Sequence, residues 1–319
     1  MSKRLLSALL LSACGGSGSP PGSAPDATVA THDAAPISPD ASTALTRPPG
    51  VRLCYSATAE AHPATVMFRA VFAAGDRSMR AASIDALAAA VNALPDEEEL
   101  QLVLGLDHLW RLAEPLPGED APLSQLGDAT ASRDHLKLAK MLCPTDARVD
   151  AWLGPVLVRF GRALSDQATI DEGLADLDAG IAAYPGFVLF SKLLVYADAA
   201  RTAPEFQNAL DAVTANITSC AQTPNDPACT NATVPHNLEG ANVFLGDIYT
   251  KALRKADAQA VFAALPSSPG WSTWSFQAVQ ADRMQHLDAR IAAYANTDPA
   301  DDPVAAWSAT NQCALCHTH

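Results

Sequence analysis

Residues 241–265 read ANVFLGDIYTKALRKADAQAVFAAL, and their spacing decides the fold class. Leu245 and Tyr249 stand four positions apart, as do Ala258 and Phe262, so each pair falls on one face of a helix. Gly246 lets a second helix pack close, while Tyr249 and Phe262 fill the space between the two. The stretch is expected to form a helical hairpin. Outward from it, alanine and leucine recur at helical spacing from about Ser78 almost to Asn296, and nothing reads as a strand array. The expected class is all-α. Prolines and glycines divide the pattern into helices near 78–94, 96–113, 132–143, 149–165, 169–184, 187–200, 204–219, 237–254, 256–265 and 272–295.

Leu245-Gly246-x-x-Tyr249 followed by Ala258-x-x-x-Phe262 resembles the signature of tetratricopeptide-repeat proteins, whose period is about 34 residues. Asn242 stands where that pattern prefers tryptophan, and Pro269 falls one position early. Weaker echoes set Ala90, Ala139 and Gly180 five positions before Pro95, Pro144 and Pro185. The resemblance covers about residues 78–295 and implies a tetratricopeptide-like array of helical hairpins, an α-solenoid. It also implies a long concave surface that binds protein or peptide rather than catalysing a reaction.

The chain opens Met1-Ser2-Lys3-Arg4, runs through apolar Leu5 to Leu11 and reaches Leu11-Ser12-Ala13-Cys14-Gly15, the three regions of a signal peptide. That apolar run is far shorter than the about 20 residues that span a bilayer. Leu11-Ser12-Ala13-Cys14 resembles a bacterial lipobox, which implies cleavage before Cys14 and attachment to the membrane through lipid on its sulfur alone. Gly15 after the cysteine implies, by the same resemblance, passage to the outer membrane, facing the periplasm. The plainer alternative is an ordinary secretory signal with an incidental cysteine. From Cys14 to Gly50 there is no aromatic residue and much Ser, Gly, Pro, Ala, Thr and Asp, so this stretch is expected to be a disordered tether. As a flexible coil of about 36 residues it would hold the folded part on the order of 30 Å from the membrane. The expected organisation is a signal peptide at 1–13, a lipid-anchored linker at 14–50, a helical-repeat domain at 51–302 and a tail at 303–319.

With 21 basic against 35 acidic residues and a net charge of −14, nucleic acid is excluded as an expected partner, because it needs clustered cations to neutralise phosphates. An acidic surface steers cationic partners instead. No G-x-S-x-G elbow, H-E-x-x-H, Gly-rich phosphate loop or dinucleotide fingerprint occurs, so conventional hydrolase, metalloprotease and nucleotide-dependent readings have no support. Asp96-Glu97-Glu98-Glu99 follows Pro95 and reads as a helix start, where carboxylates favour the positive end of the dipole.

The sharpest local signal is Cys313-Ala314-Leu315-Cys316-His317, the C-x-x-C-H of c-type haem attachment. Two thiols three positions apart can add to the two vinyl groups of one haem, and the adjacent imidazole can reach the iron as proximal ligand. Only Thr318 and His319 follow, so no downstream segment is expected to close over a haem, and the classical cytochrome c fold is not expected. A haem here is expected to pack against Trp307 and the helix from Trp271 to Tyr294, and to be rather exposed. Met284, His286 and His236 are the nearest candidates for a distal ligand. Met284 shares a stripe with Leu287, Ile291 and Tyr294 that reads more readily as core than as a ligand, and five-coordinate iron is a further option. Two other uses of the same residues stay open: a thiolate and imidazole metal site from Cys313, Cys316, His317 and His319, or a C-x-x-C redox pair.

The cysteine count fits the haem reading. Cys14 takes lipid, Cys313 and Cys316 take haem c, and Cys54, Cys143, Cys220 and Cys229 remain as two expected disulfides. Cys220 and Cys229 bracket a turn-rich loop that a local bridge would pin, and Cys54 with Cys143 follows by elimination. A buried thiol is the alternative for Cys143. The leading expectation is a lipid-tethered helical-repeat protein that docks periplasmic or outer-membrane partners and passes single electrons through one haem. A purely structural adaptor and a peroxidase-like enzyme are the rival expectations.

Overall fold

Pro63, Pro122, Pro185 and Pro204 each stand in the first turn of a helix, where the missing N–H has no intrahelical role and the fixed φ suits the turn. The computed structural model describes residues 57–223, 225–230, 237–308 and 312–317. Its helices are α1 (Ala57–Glu60), α2 (Pro63–Ala73), α3 (Arg80–Ala93), α4 (Glu98–Ala113), α5 (Pro122–Leu142), α6 (Ala147–Leu164), α7 (Gln167–Ala183), α8 (Pro185–Tyr196), α9 (Pro204–Gln222), α10 (Pro227–Thr230), α11 (Leu238–Lys251), α12 (Lys255–Ala264), α13 (Gln277–Gln285), α14 (Leu287–Ala295) and α15 (Gln312–His317). The chain is all-α, with no strand among the described residues. Nor is any described helix long and apolar enough to cross a membrane.

Neighbours in sequence pair as hairpins: α2 with α3, α4 with α5, α6 with α7, α8 with α9, and α11 with α12. The array expected from the sequence is therefore present. Its small-residue echoes have a common structural cause. Ala90, Ala139 and Gly180 accept the closing backbone hydrogen bonds of Leu94, Cys143 and Tyr184. Those three residues leave the helix with φ of −136°, −135° and −149°, the extended geometry that a following proline imposes. Successive second helices end at Ala93, Leu142, Ala183 and Gln222, so these hairpins run longer than the roughly 34 residues of the tetratricopeptide period.

Close packing inside the hairpins follows the glycines. A Cβ on Gly246 would overlap the ring of Phe262, which with Ala258 is fully buried. In α6 a Cβ on Gly154 would lie 2.6 Å from Leu177 Cγ of α7, so the two helices approach nearly backbone to backbone. Truncating a fully buried leucine such as Leu177 removes about 2–5 kcal/mol. Asp146 and Asp166 cap α6 and α7 by accepting the backbone N–H groups of Arg148 (2.8 Å) and Ala168 (3.1 Å).

Several boundaries differ from the sequence expectation. α2 precedes the expected first helix. α5 begins at Pro122 rather than near residue 132, since polar Ser124, Gln125 and Asp128 and the open Gly127 blur the apolar stripe without breaking the helix. The expected helix at 272–295 is two helices divided at His286, which turns Arg290 of α14 back onto Asp247 of α11. Glu98 and Glu99 do start a helix, but they are buried rather than solvated. Arg148 lies 3.0 Å from Glu99 and 3.8 Å from Glu98, and Arg69 also reaches Glu99. Burial, with Asp146 beside it, raises Glu98 to about 8.

Candidate functional site

Cys313, Cys316 and His317 fall on one face of α15 because positions three and four apart are helical neighbours. Cys313 and Cys316 carry thiols. The helix is short and would not persist alone, so its placement depends on what grips its ends. At its start, Glu114, the residue that ends α4, accepts the backbone N–H groups of Cys313 (2.9 Å) and Ala314 (3.1 Å) on Oε1. Its Oε2 accepts the Trp110 indole N–H at 3.1 Å. This carboxylate is 1% exposed, so its partners take the place of water.

At the other end, the backbone N–H of Asn237 donates to Cys316 O (2.6 Å), while Asn237 Nδ2 and Trp274 Nε1 donate to Leu315 O at 3.1 and 2.9 Å. Gly240 in the first turn of α11 makes room for this. A Cβ there would lie 2.7 Å from Cys316 Cα and 2.8 Å from its sulfur, and would overlap Leu315 O. The segment leading into α15 is held as firmly. Asp247, fully buried between Arg283 and Arg290, accepts the backbone N–H of Ala306 at 2.7 Å, and Trp307 Nε1 donates to Asp198 Oδ1 at 2.9 Å. α15 thus touches α2 and α4 on one side and α11 on the other, joining the beginning of the array to its end.

The face that α15 presents looks into an apolar cleft of about 100 Å³ that opens to solvent. Cys313, Cys316 and His317 all line it. Across from them, α6 contributes Trp152, Pro155, Val156, Arg159 and Phe160, and α8 contributes Phe187, Phe190, Ser191 and Leu194, each set at helical spacing. Leu109 and Leu112 of α4, Ala129 of α5, Phe244 of α11 and Trp307 complete the apolar wall. The His317 ring lies 4.8 Å from that of Phe72 and 6.3 Å from that of Trp152.

This surrounding differs from the expected one. Trp307 lines the cleft as anticipated, but the segment from Trp271 to Tyr294 does not, and the walls come from α4, α5, α6, α8 and α11 instead. Cys316 and Leu315 are buried, because the tail folds into the array rather than lying on it. Met284 packs against the core around α11 and α12, and His286 is exposed with Nδ1 2.9 Å from Asp282 Oδ1. Neither lines the cleft. Cys14, Cys54, His236 and His319 lie outside the described residues. Cys220 and Cys229 are joined with their Cα atoms 5.4 Å apart, and Cys143 is disulfide-bonded.

Among the described residues no group of three or more His, Cys, Asp or Glu side chains is placed to hold a bare metal ion. A haem is a different test, needing two thiols, an imidazole and apolar walls. The lining residues fit that set. Glu114, Asn237, Gly240 and the cleft walls escaped sequence reasoning, for no local spacing marks partners so distant in the chain. No family model, curated protein or solved structure matches the chain.

Proposed function

We propose that this chain is a lipid-anchored protein of the bacterial cell envelope whose helical array carries one covalent c-type haem and passes single electrons. One observation carries the reading: the two thiols and the imidazole of a C-x-x-C-H sequence lie together on the wall of an apolar cleft. Bound there, haem would supply an iron that cycles between two oxidation states. Cys313 and Cys316 would hold it, each S–H adding across one vinyl double bond with sulfur on one carbon and hydrogen on the other, so nothing is released. His317, braced by Phe72 and Trp152, would supply the proximal nitrogen. The apolar walls would exclude water, which favours the less charged, reduced state.

Attachment to the outer membrane through Cys14 and docking of periplasmic protein partners belong to the same proposal. The acidic surface favours a cationic redox partner. The test is a pyridine haemochrome spectrum and an intact mass of protein matured with a haem-attachment system. One haem per chain that survives denaturation is expected. A haem-free mature protein would leave the non-enzymatic adaptor reading in its place.

A further inference from the structure

Glu114 is a buried carboxylate that acts purely as an acceptor. Its Oε1 takes the backbone N–H groups of Cys313 and Ala314, and its Oε2 takes the Trp110 indole N–H. A protonated carboxyl would have to donate from one of these oxygens, so the pattern is that of the ionised form. All three donors are uncharged and leave its negative charge in place. The buried cation behind it, Arg80 of α3, does not cancel that charge. Its guanidinium pairs with Glu119, donates to the carbonyls of Trp110 and Glu114, and faces Asp107 as well, so one cation meets three carboxylates. Arg111, the next cation along α4, is bound to Asp128. At 1% exposure the Glu114 carboxylate is also shielded from solvent and salt, which would otherwise screen it.

A fixed anion beside a redox centre stabilises the state that carries more positive charge, which in haem is the ferric one. Resting on the haem reading above, we propose that Glu114 lowers the reduction potential of the cofactor and so suits the protein to donating electrons. The carboxylate is bonded to the backbone of Cys313, whose sulfur would carry the macrocycle, so its charge acts at close range. It opposes the apolar walls, which favour the reduced state, and the potential is set by the balance of the two.

The experiment uses the full, matured chain, with the pyridine haemochrome of the wild type recorded first. No haem there overturns the haem reading itself, an outcome distinct from loss of the Glu114 assignment alone. With haem present in every variant, Glu114→Gln keeps an oxygen to accept the two amides and removes the charge. It should shift the reduction equilibrium about tenfold toward the reduced form, which is about 59 mV upward in midpoint for one electron. Hydrogen exchange at Cys313 and Ala314 should stay close to wild type, which separates the charge from the grip. Glu114→Asp, which keeps the charge, should keep most of the wild-type midpoint. An unchanged midpoint in Glu114→Gln, or an equal rise in Glu114→Asp, would overturn the assignment. Should the glutamine variant not fold, redox-difference infrared spectra of wild type and Glu114→Asp decide. A carboxylate stretch that changes on reduction in the wild type and moves in Glu114→Asp supports the assignment, and its absence from the wild-type difference spectrum overturns it.

Discussion

Glu114 Oε1 accepts the backbone N–H of Cys313 at 2.9 Å, although the two residues stand 199 positions apart. This contact fixes the start of α15 against the end of α4 and so places the C-x-x-C-H face. Glu114→Ala should leave two backbone amides and the Trp110 indole N–H without their acceptor. The expected cost is about 1–3 kcal/mol, concentrated on the tail. Hydrogen exchange should show faster exchange at Cys313 and Ala314 with α6 and α7 unaffected, whereas uniform loss of protection would mean that Glu114 supports the whole fold.

The contact of Gly246 with Phe262 makes a second prediction. Gly246→Val must drive a branched side chain into the Phe262 ring, and overpacking of this kind costs about 1–3 kcal/mol or more. Urea unfolding should show a lower midpoint at unchanged slope. A variant as stable as wild type would mean that α11 and α12 do not pack as closely as described.

The hairpin was legible in advance because its determinants, Leu245, Gly246, Tyr249, Ala258 and Phe262, are local and periodic. The placement of Cys313, Cys316 and His317 on one helical face was legible for the same reason. What escaped was everything made by distant pairing. Glu114 looks in sequence like a charged helix end, and Asn237 like an ordinary helix start. Only the closure of the array makes them the two grips on α15. The burial of Glu98 and Glu99 was hidden likewise, since Arg148 and Arg69, which pair with Glu99, come from other helices.

Glu98 sets a pH dependence whose sign comes from its raised pKa. The folded state keeps the proton up to about 8, while an exposed glutamate loses it near 4.5. Between these values the folded state binds more protons than the unfolded one, so this group makes stability fall as pH rises, with no further fall above the folded value. Glu98→Gln removes the titration. It should be more stable than wild type at pH 7.5, by about 1 kcal/mol, with a flatter profile from pH 5 to 8 in thermal melts. Equal slopes in the two proteins would contradict the assignment.

Met284 and His286 supply a fourth test. Neither lines the cleft, so Met284→Ala and His286→Ala should leave the visible spectrum of the matured protein as it is. His317→Ala should change the iron spin state or its ligand bands while much of the covalent haem remains. A spectrum altered by either of the first two variants would show that α13 reaches the iron.

The central claim is that Cys313 and Cys316 hold a haem in the cleft between α6 and α8. Intact mass of the denatured, matured protein tests it most directly. The wild type should exceed its processed polypeptide by the mass of one haem, and Cys313→Ser with Cys316→Ser should return to the polypeptide mass with its helical content retained. A wild-type mass equal to that of the bare lipidated chain, from cells that attach haem to a control cytochrome, would contradict it.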